Sequence, residues 1–480
     1  MESNGFDVTS QKFLSWFKAI PGSTFHDDLI MADLRGRNAG RGLIAKADIP
    51  ANTVLFTIPR SAVITTATSA LAAKLPHILT KDGAVFHTSS NGEPGQSDPD
   101  PWVGLILVLI YEYLQGQESL WKPYFDVLPE SFDTPMFWSD EELGQLQASS
   151  VRSKIGKEQA DTMFTTKVIP CVTTNAHVFY PEATSHLGEA ELLGLSHRMA
   201  SLIMAYAFDL DKDDDDEQQN DNSDEEWVED KEASMLGMVP MADILNSDAE
   251  FNAHVDHDDD VVTVTSLRII RQGEEVLNYY GPLANSDLLR RYGYVSTLHS
   301  RYDVVEIPRS MVAAQVQASL GVSEAFKEKA LSFFADEVDD PIVLERDAGE
   351  PNSDGTLVAP IRTDKLLSEL EDATTTILKA FRKVSASVIP DKRKREETCR
   401  EVLPLVLSAR LAEYPSTLAD DELILNDPQT TGRFRMAVEV RAGEKRLLHE
   451  ALVLASALST DGGVADEKGG DRPNKKTKVF

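Results

Sequence analysis

The sequence predicts an α+β protein in which one small strand-rich unit is assembled from two separated stretches. Three observations carry this. Strand and turn signals run from Gly40 to Ile64, they return between Val261 and Tyr279, and helical apolar spacing separates and follows them. Two distant stretches of the same character imply one sheet system closed across a long insertion. The expected divisions are 1–75 and 236–300 for the two halves of that unit, 76–235 for a helical insertion, 301–460 for a helical C-terminal domain, and 461–480 for a flexible tail.

The elements follow in order. Phe13 to Phe17 has the spacing of a short amphipathic helix. GRGLIAKADIPANTVLFTIPRSAVI, from Gly40 to Ile64, reads as strand, tight turn at Ile49–Asn52, and a second strand ended by Pro59. Ser89 to Pro101 is a loop rich in Gly, Pro, Ser and Asp. Helical spacing covers Trp102–Leu114, Asp140–Ala148 and Glu189–Phe208. Strand patterns resume at Val261–Val264 and Ser266–Ile270, and Arg271-Gln272-Gly273 turns the chain into a strand over Glu275–Tyr279. Leu366, Leu370, Ile377, Phe381 and Val384 recur at helical spacing, and Glu396–Glu413 and Arg433–Leu458 are further helices.

At 480 residues and 42% apolar content, the chain is long enough for several cores. The net charge of −32 opposes binding to a phosphate backbone, which needs a basic face, and favours a basic partner. Asp209 to Glu232 carries fourteen acidic residues and two lysines, a net −12, and reads as a disordered, solvated loop. The rest of the chain is then −32 + 12 = −20, acidic even without this loop. Only Cys171 and Cys399 occur, which supports neither a disulfide framework nor a cysteine metal site and fits a reducing compartment. MESNGFDVTS has no apolar signal core, and the longest apolar run, Val103–Tyr111, is too short to span a bilayer. Two basic clusters, Lys392–Arg395 and Lys475-Lys476-Thr477-Lys478, read equally as nuclear-import signals or as an exposed helix start and a solvated tail.

Three segments carry the chemistry. Asn38-Ala39-Gly40-Arg41-Gly42 places glycines around an arginine before a strand; taken alone it reads first as a turn, and second as a backbone that a flat ligand can approach closely. Met238-Val239-Pro240-Met241-Ala242-Asp243-Ile244-Leu245-Asn246-Ser247 sets Asp243 and Asn246 three apart among apolar residues. Taken alone, that spacing reads as a helix cap or a satisfied buried pair. GEEVLNYYGPLANSDLLRRYGYV, from Gly273 to Val295, holds Tyr279, Tyr280 and Tyr292, with Tyr280 after a strand and Tyr292 at the end of a short helix. Aromatic residues in such places more often pack a core than act in catalysis.

In this order, with MAYAF at Met204–Phe208 and an acidic insert ahead of the second segment, the three resemble the SET-domain protein-lysine methyltransferases. Within that family they resemble the Rubisco large-subunit methyltransferase-like branch, with likeness to SET domain-containing protein 6 and the fungal ribosomal lysine methyltransferase 4. The resemblance runs from about Phe13 to about Leu458.

It implies a SET domain of small curved sheets split by the insertion, with the helical C-terminal domain binding the substrate protein. It implies S-adenosylmethionine as methyl donor and a lysine as acceptor. Ala39, Gly40 and Arg41 then match one cofactor loop and Asn246 and Ser247 a second, with Asp243 a cofactor or structural contact. Tyr280 matches the catalytic tyrosine, Tyr292 an aromatic shared by cofactor and lysine channel, and Tyr206 a substrate-pocket position. Such chemistry suits a tyrosine cluster. It needs alignment and a neutral amine, and a dry aromatic channel lowers a lysine pKa by up to roughly 3–5 units.

Ser247 departs from the family, which mostly has histidine there. That leaves a second reading, a SET-like binding module for basic proteins with weak or lost catalysis. The expected partner is a basic protein, first a large-subunit ribosomal protein, carrying one added methyl group. No nucleic acid, membrane or metal is expected, and the chain is expected as a monomer in the nucleus, with cytoplasm second.

Overall fold

A computed structural model describes residues 3–37, 39–80, 83–85, 99–182, 184–210, 235–334, 340–358 and 360–461. The acidic loop from residue 211 onward, most of the 89–101 loop and the Lys475–Lys478 cluster lie outside the described residues.

Two four-stranded sheets are built from both halves of the strand-rich unit. One runs in the order Thr24–Phe25, Val54–Pro59, Val261–Ser266, Ala253–His257. Its central pair crosses the insertion, with Val262 opposite Ile58 and Val264 opposite Phe56. Alternation explains the burial: Val262 and Val264 face the core, while Thr263 and Thr265 are only half-buried. The other sheet runs Leu29–Asp33, Arg41–Ala45, Glu275–Asn278, Asn246–Ser247. Asn52 takes the tight turn at φ 57° and Gly273 the later one at φ 83°.

Several expected elements differ in extent. Ser266–Ile270 is not a strand; the strand is Val261–Ser266, and beyond it only Ile270 bridges, to Ile49. Asp140–Ala148 is helical only over Asp140–Gly144, where a Ser139–Glu142 capping box starts it. The Glu189 helix ends at Tyr206, and Ala207–Asp209 turns into a strand paired with Leu236–Met238. Phe13–Phe17 lies within a longer helix, Ser3–Ala19.

The insertion packs around Pro101–Gln115, which is buried along Val103–Glu112. Asp100 caps it by accepting from Val103 N–H at 3.0 Å. The C-terminal helices Ser368–Val384, Lys392–Ala412 and Gly432–Asp461 enclose a second core around Leu370, Phe381, Val402, Leu407 and Leu448. The basic run Lys392–Arg395 opens one of them, capped by Asp391, with Lys392 and Lys394 paired to Glu396 and Glu397. Gly432–Asp461 braces the insertion: Arg433 donates to the Phe132 and Phe137 carbonyls at 3.2 and 3.0 Å.

Candidate active site

The second sheet brings the three chemical segments together. Glu275–Asn278 pairs antiparallel with the strand following Ala39–Gly40, placing Val276 opposite Leu43. On its other edge it pairs in parallel with Asn246–Ser247, placing Asn278 opposite Ser247. Buried Asn252 locks this strand: its amide donates to Glu275 O at 2.8 Å and its carbonyl accepts from Leu277 N–H at 2.9 Å.

In the first segment, Gly40 has φ +64° and open space where a Cβ would stand. Gly42 is the crowded glycine. A Cβ there would lie 2.8 Å from Glu275 Oε1 and 2.9 Å from Asn246 Nδ2. Those two groups are themselves joined, Asn246 Nδ2 donating to Glu275 Oε1 at 2.7 Å and to Arg41 O at 3.1 Å. The Arg41 side chain turns away toward the N-terminal helix. It donates to Thr9 and Ser10 hydroxyls, each at 3.0 Å, and to Val127 O at 2.8 Å, and lies 3.8 Å from the Phe6 ring. Only the backbone of Arg41 therefore remains with the second segment.

The second segment is strained where it enters the site. Buried Met241 holds φ 86°, which side chains with a Cβ rarely adopt. A 3₁₀ turn over Ala242–Ile244 follows and buries Asp243. The Tyr124 hydroxyl donates to Asp243 Oδ2, and Asp243 Oδ1 is buried without a hydrogen bond. Burial pushes the Asp243 carboxyl up to about 7, against the opposing hydrogen bond from Tyr124 and the weaker pull of the nearby Met241 and Asp243 N–H dipoles, neither of which is hydrogen-bonded to it.

Tyr280 and Tyr292 stack with ring centroids 4.7 Å apart, and Tyr294 tilts against Tyr292 at 6.2 Å. The Tyr280 hydroxyl donates to Leu245 O at 2.9 Å, and its backbone N–H donates to Ser247 Oγ at 3.2 Å. Tyr294 donates to Ser247 O at 3.3 Å. The serine thus supplies the acceptor that fastens Tyr280 to the second segment. Burial, with the neighbouring tyrosines and Asp243, raises the Tyr280 hydroxyl well above its usual range. Burial and Asp243 push Tyr206 up to about 12. The Tyr280 and Tyr206 phenols are therefore neutral near pH 7. Tyr279 is different: it stacks on Phe251 at 4.7 Å.

Gly293 explains how Tyr292 and Tyr294 flank one turn. It caps the Asn285–Tyr292 helix at φ +78°, and a Cβ there would lie 2.9 Å from Thr134 N. Asp243, Asn246, Ser247, Tyr206, Tyr280, Tyr292 and the Ala39–Arg41 backbone therefore converge. Sequence reasoning missed Tyr294 and Tyr124. The YGY pattern at Tyr292–Tyr294 was an available signal for the first. Nothing in the sequence pointed to Tyr124, 119 residues from its partner Asp243.

Comparison with known proteins now bears on this geometry. The family model described as SET domain matches residues 40–281. The chain belongs to the SET-domain family. The model described as Rubisco LSMT substrate-binding matches residues 359–448 of this SET-domain chain. Ribosomal lysine N-methyltransferase 4 of Saccharomyces cerevisiae is 32% identical over 333 residues, 68% of this chain and 63% of that relative, so this alignment spans a little under two thirds of it. N-lysine methyltransferase setd6 of Salmo salar is 27% identical over 476 residues, 92% of this chain and 96% of that relative. A solved structure, the SET domain of LSMT bound to lysine and AdoHcy, shares the fold with a TM-score of 0.59 at 19% identity, covering 96% of this chain and 97% of that one. The SET-domain chain is an S-adenosylmethionine-dependent protein-lysine N-methyltransferase.

Proposed function

We propose that this methyltransferase adds one methyl group to a lysine of a large-subunit ribosomal protein in the nucleus, at the tyrosine-walled site around Tyr280. The observation that carries the site is the single sheet that joins Ala39–Arg41, Asn246–Ser247 and the strand leading to Tyr280. The name of the yeast relative supports the ribosomal class. A net charge of −32 suits a basic substrate.

The residues present fit the cofactor. Open space at Gly40 admits a ligand against backbone, and the site walls are neutral phenols whose ring faces suit a cation. Ala39, Gly40, Arg41 (through its backbone), Asn246, Ser247 and Tyr292 would hold S-adenosylmethionine, which supplies a methyl group on a positively charged sulfur. Tyr280 orients the acceptor amine, and Tyr292 and Tyr206 wall its approach. The hydroxyls of Tyr280 and Tyr294 are both tied to main-chain carbonyls, so neither swings aside to make room for a second methyl group.

The test incubates the protein with labelled S-adenosylmethionine and separated ribosomal subunits. One labelled large-subunit protein gaining a single methyl mass on one lysine is the expected result. Label only on small-subunit or non-ribosomal proteins, or a trimethylated product, would contradict the proposal.

A further inference from the structure

The acceptor lysine reaches the site as an ammonium, with an ordinary pKa near 10.4, and must lose a proton before its nitrogen can attack. The tyrosine hydroxyls are poor takers. Tyr280 already donates to Leu245 O and Tyr294 to Ser247 O, and burial raises both phenols. One oxygen beside them is uncommitted. Asp243 Oδ1 is buried and makes no hydrogen bond, while Oδ2 is held by Tyr124.

The groups around it are all neutral. Tyr124 faces Asp243 from the Lys122–Phe125 helix, Tyr206 from the end of the Glu189–Tyr206 helix, and Tyr280 from the loop after its strand, with Tyr292 and Tyr294 behind it. On its own segment it meets the N–H groups of Met241 and Asp243. Asp243 forms no ion pair among the described residues. A buried carboxyl with no cation beside it is costly as an anion, so the molecule retains a charge-accepting group where only a ligand can compensate it.

We propose that Asp243 Oδ1 is the proton acceptor for the incoming lysine. An N–H bond of the ammonium breaks, an O–H bond forms on Asp243, and the electron pair stays on nitrogen, ready for transfer. Tyr124 positions the carboxylate through Oδ2. This rests on the reading that Tyr280 and Tyr292 wall the lysine channel. Burial pushes Asp243 up to about 7, into the range where it both gains and loses a proton near neutral pH.

Two readouts test it. With labelled S-adenosylmethionine and limiting large-subunit ribosomal protein, wild-type kcat/KM levels off above about pH 7. Asp243→Asn is slower by on the order of 100-fold at pH 7.5, and its deficit shrinks about tenfold per pH unit as the free amine appears. Tyr124→Phe removes a hydrogen bond that favours the carboxylate, so its plateau starts at higher pH with the maximum kept. Calorimetry of S-adenosylmethionine binding near pH 7, in buffers of different ionisation heat, needs no acceptor. The incoming cation favours the carboxylate, so wild type releases part of a proton that Asp243→Asn does not. Equal proton release in the two proteins, or superposed pH profiles for all three, overturns the proposal. Proton release that differs while no protein is labelled at any pH would sink the ribosomal substrate reading instead.

Discussion

Two buried aspartates behave in opposite ways. Asp421, in the C-terminal domain, is fully buried, yet Arg441 and Lys445 donate to it at 2.8 and 2.6 Å and Ser416 at 2.9 Å. Burial works to raise its pKa, but those hydrogen bonds and the charges of Arg441 and Lys445 outweigh it, and the carboxyl falls below its usual value. Asp243 has one phenol donor, one unused oxygen and no cation, and burial wins. The first cluster is complete within the chain and locks the Gly432–Asp461 helix against the insertion, where Arg441 also donates to Gln145 O. The second leaves polar capacity unmet. The first cluster is a complete structural joint, and the second leaves an oxygen that a ligand can satisfy.

The largest test of this contrast is Asp421→Asn. It strands two buried cations and lowers stability by about 3–5 kcal/mol, read as a loss of thermal and denaturant resistance. A loss below about 1 kcal/mol would mean the joint tolerates incompleteness. Gly42→Ala comes next. Its Cβ would press on Asn246, Glu275 and Leu34, so S-adenosylmethionine affinity falls and stability drops by about 1–3 kcal/mol. Unchanged affinity would show that the Asn246–Glu275 contact gives way freely.

Asp243→Asn sharpens the contrast through pH. The folded carboxyl, at about 7, lies above its ordinary 3.8, so the folded state binds the extra proton between these values. Its contribution is full below about pH 4 and is lost as pH rises through 7. The asparagine variant, which never carries the buried charge, is therefore more stable than wild type by about 4 kcal/mol at pH 8, and the gain disappears below about pH 4. Denaturant melts at both pH values decide it; a destabilised variant at pH 8 would show Asp243 to be compensated after all. The smallest effect is Ser247→Ala. Removing the acceptor for the Tyr280 N–H costs about 1 kcal/mol and slightly loosens cofactor binding.

The parts legible in the sequence are those where local pattern and tertiary role agree. Gly40–Ala45, Val54–Pro59 and Glu275–Asn278 carry β-branched or alternating apolar residues, and the tyrosine, glycine and asparagine motifs sit beside them. Leu29–Asp33 and Ala253–His257 escaped notice because their alternation is diluted: Ala253–His257 holds two histidines and an aspartate. They are strands through their neighbours, Ala253–His257 pairing along its whole length with Val262–Ser266. Neighbouring Tyr279 and Tyr280 are indistinguishable in the sequence, yet in the loop after the strand they stack on different partners, Phe251 and Tyr292. The Asp421–Arg441–Lys445 joint could not be read at all, since charged residues twenty or more positions apart look solvated until the fold pairs them.

The most direct test of the account is Tyr280→Phe, with methyl transfer and S-adenosylmethionine affinity measured on one preparation. The phenylalanine keeps the stack on Tyr292 and removes only the hydroxyl held by Leu245 O. The account predicts cofactor binding within a few-fold of wild type and kcat/KM lower by about 100–1000-fold. Transfer at the wild-type rate would contradict it and move the chemistry away from Tyr280.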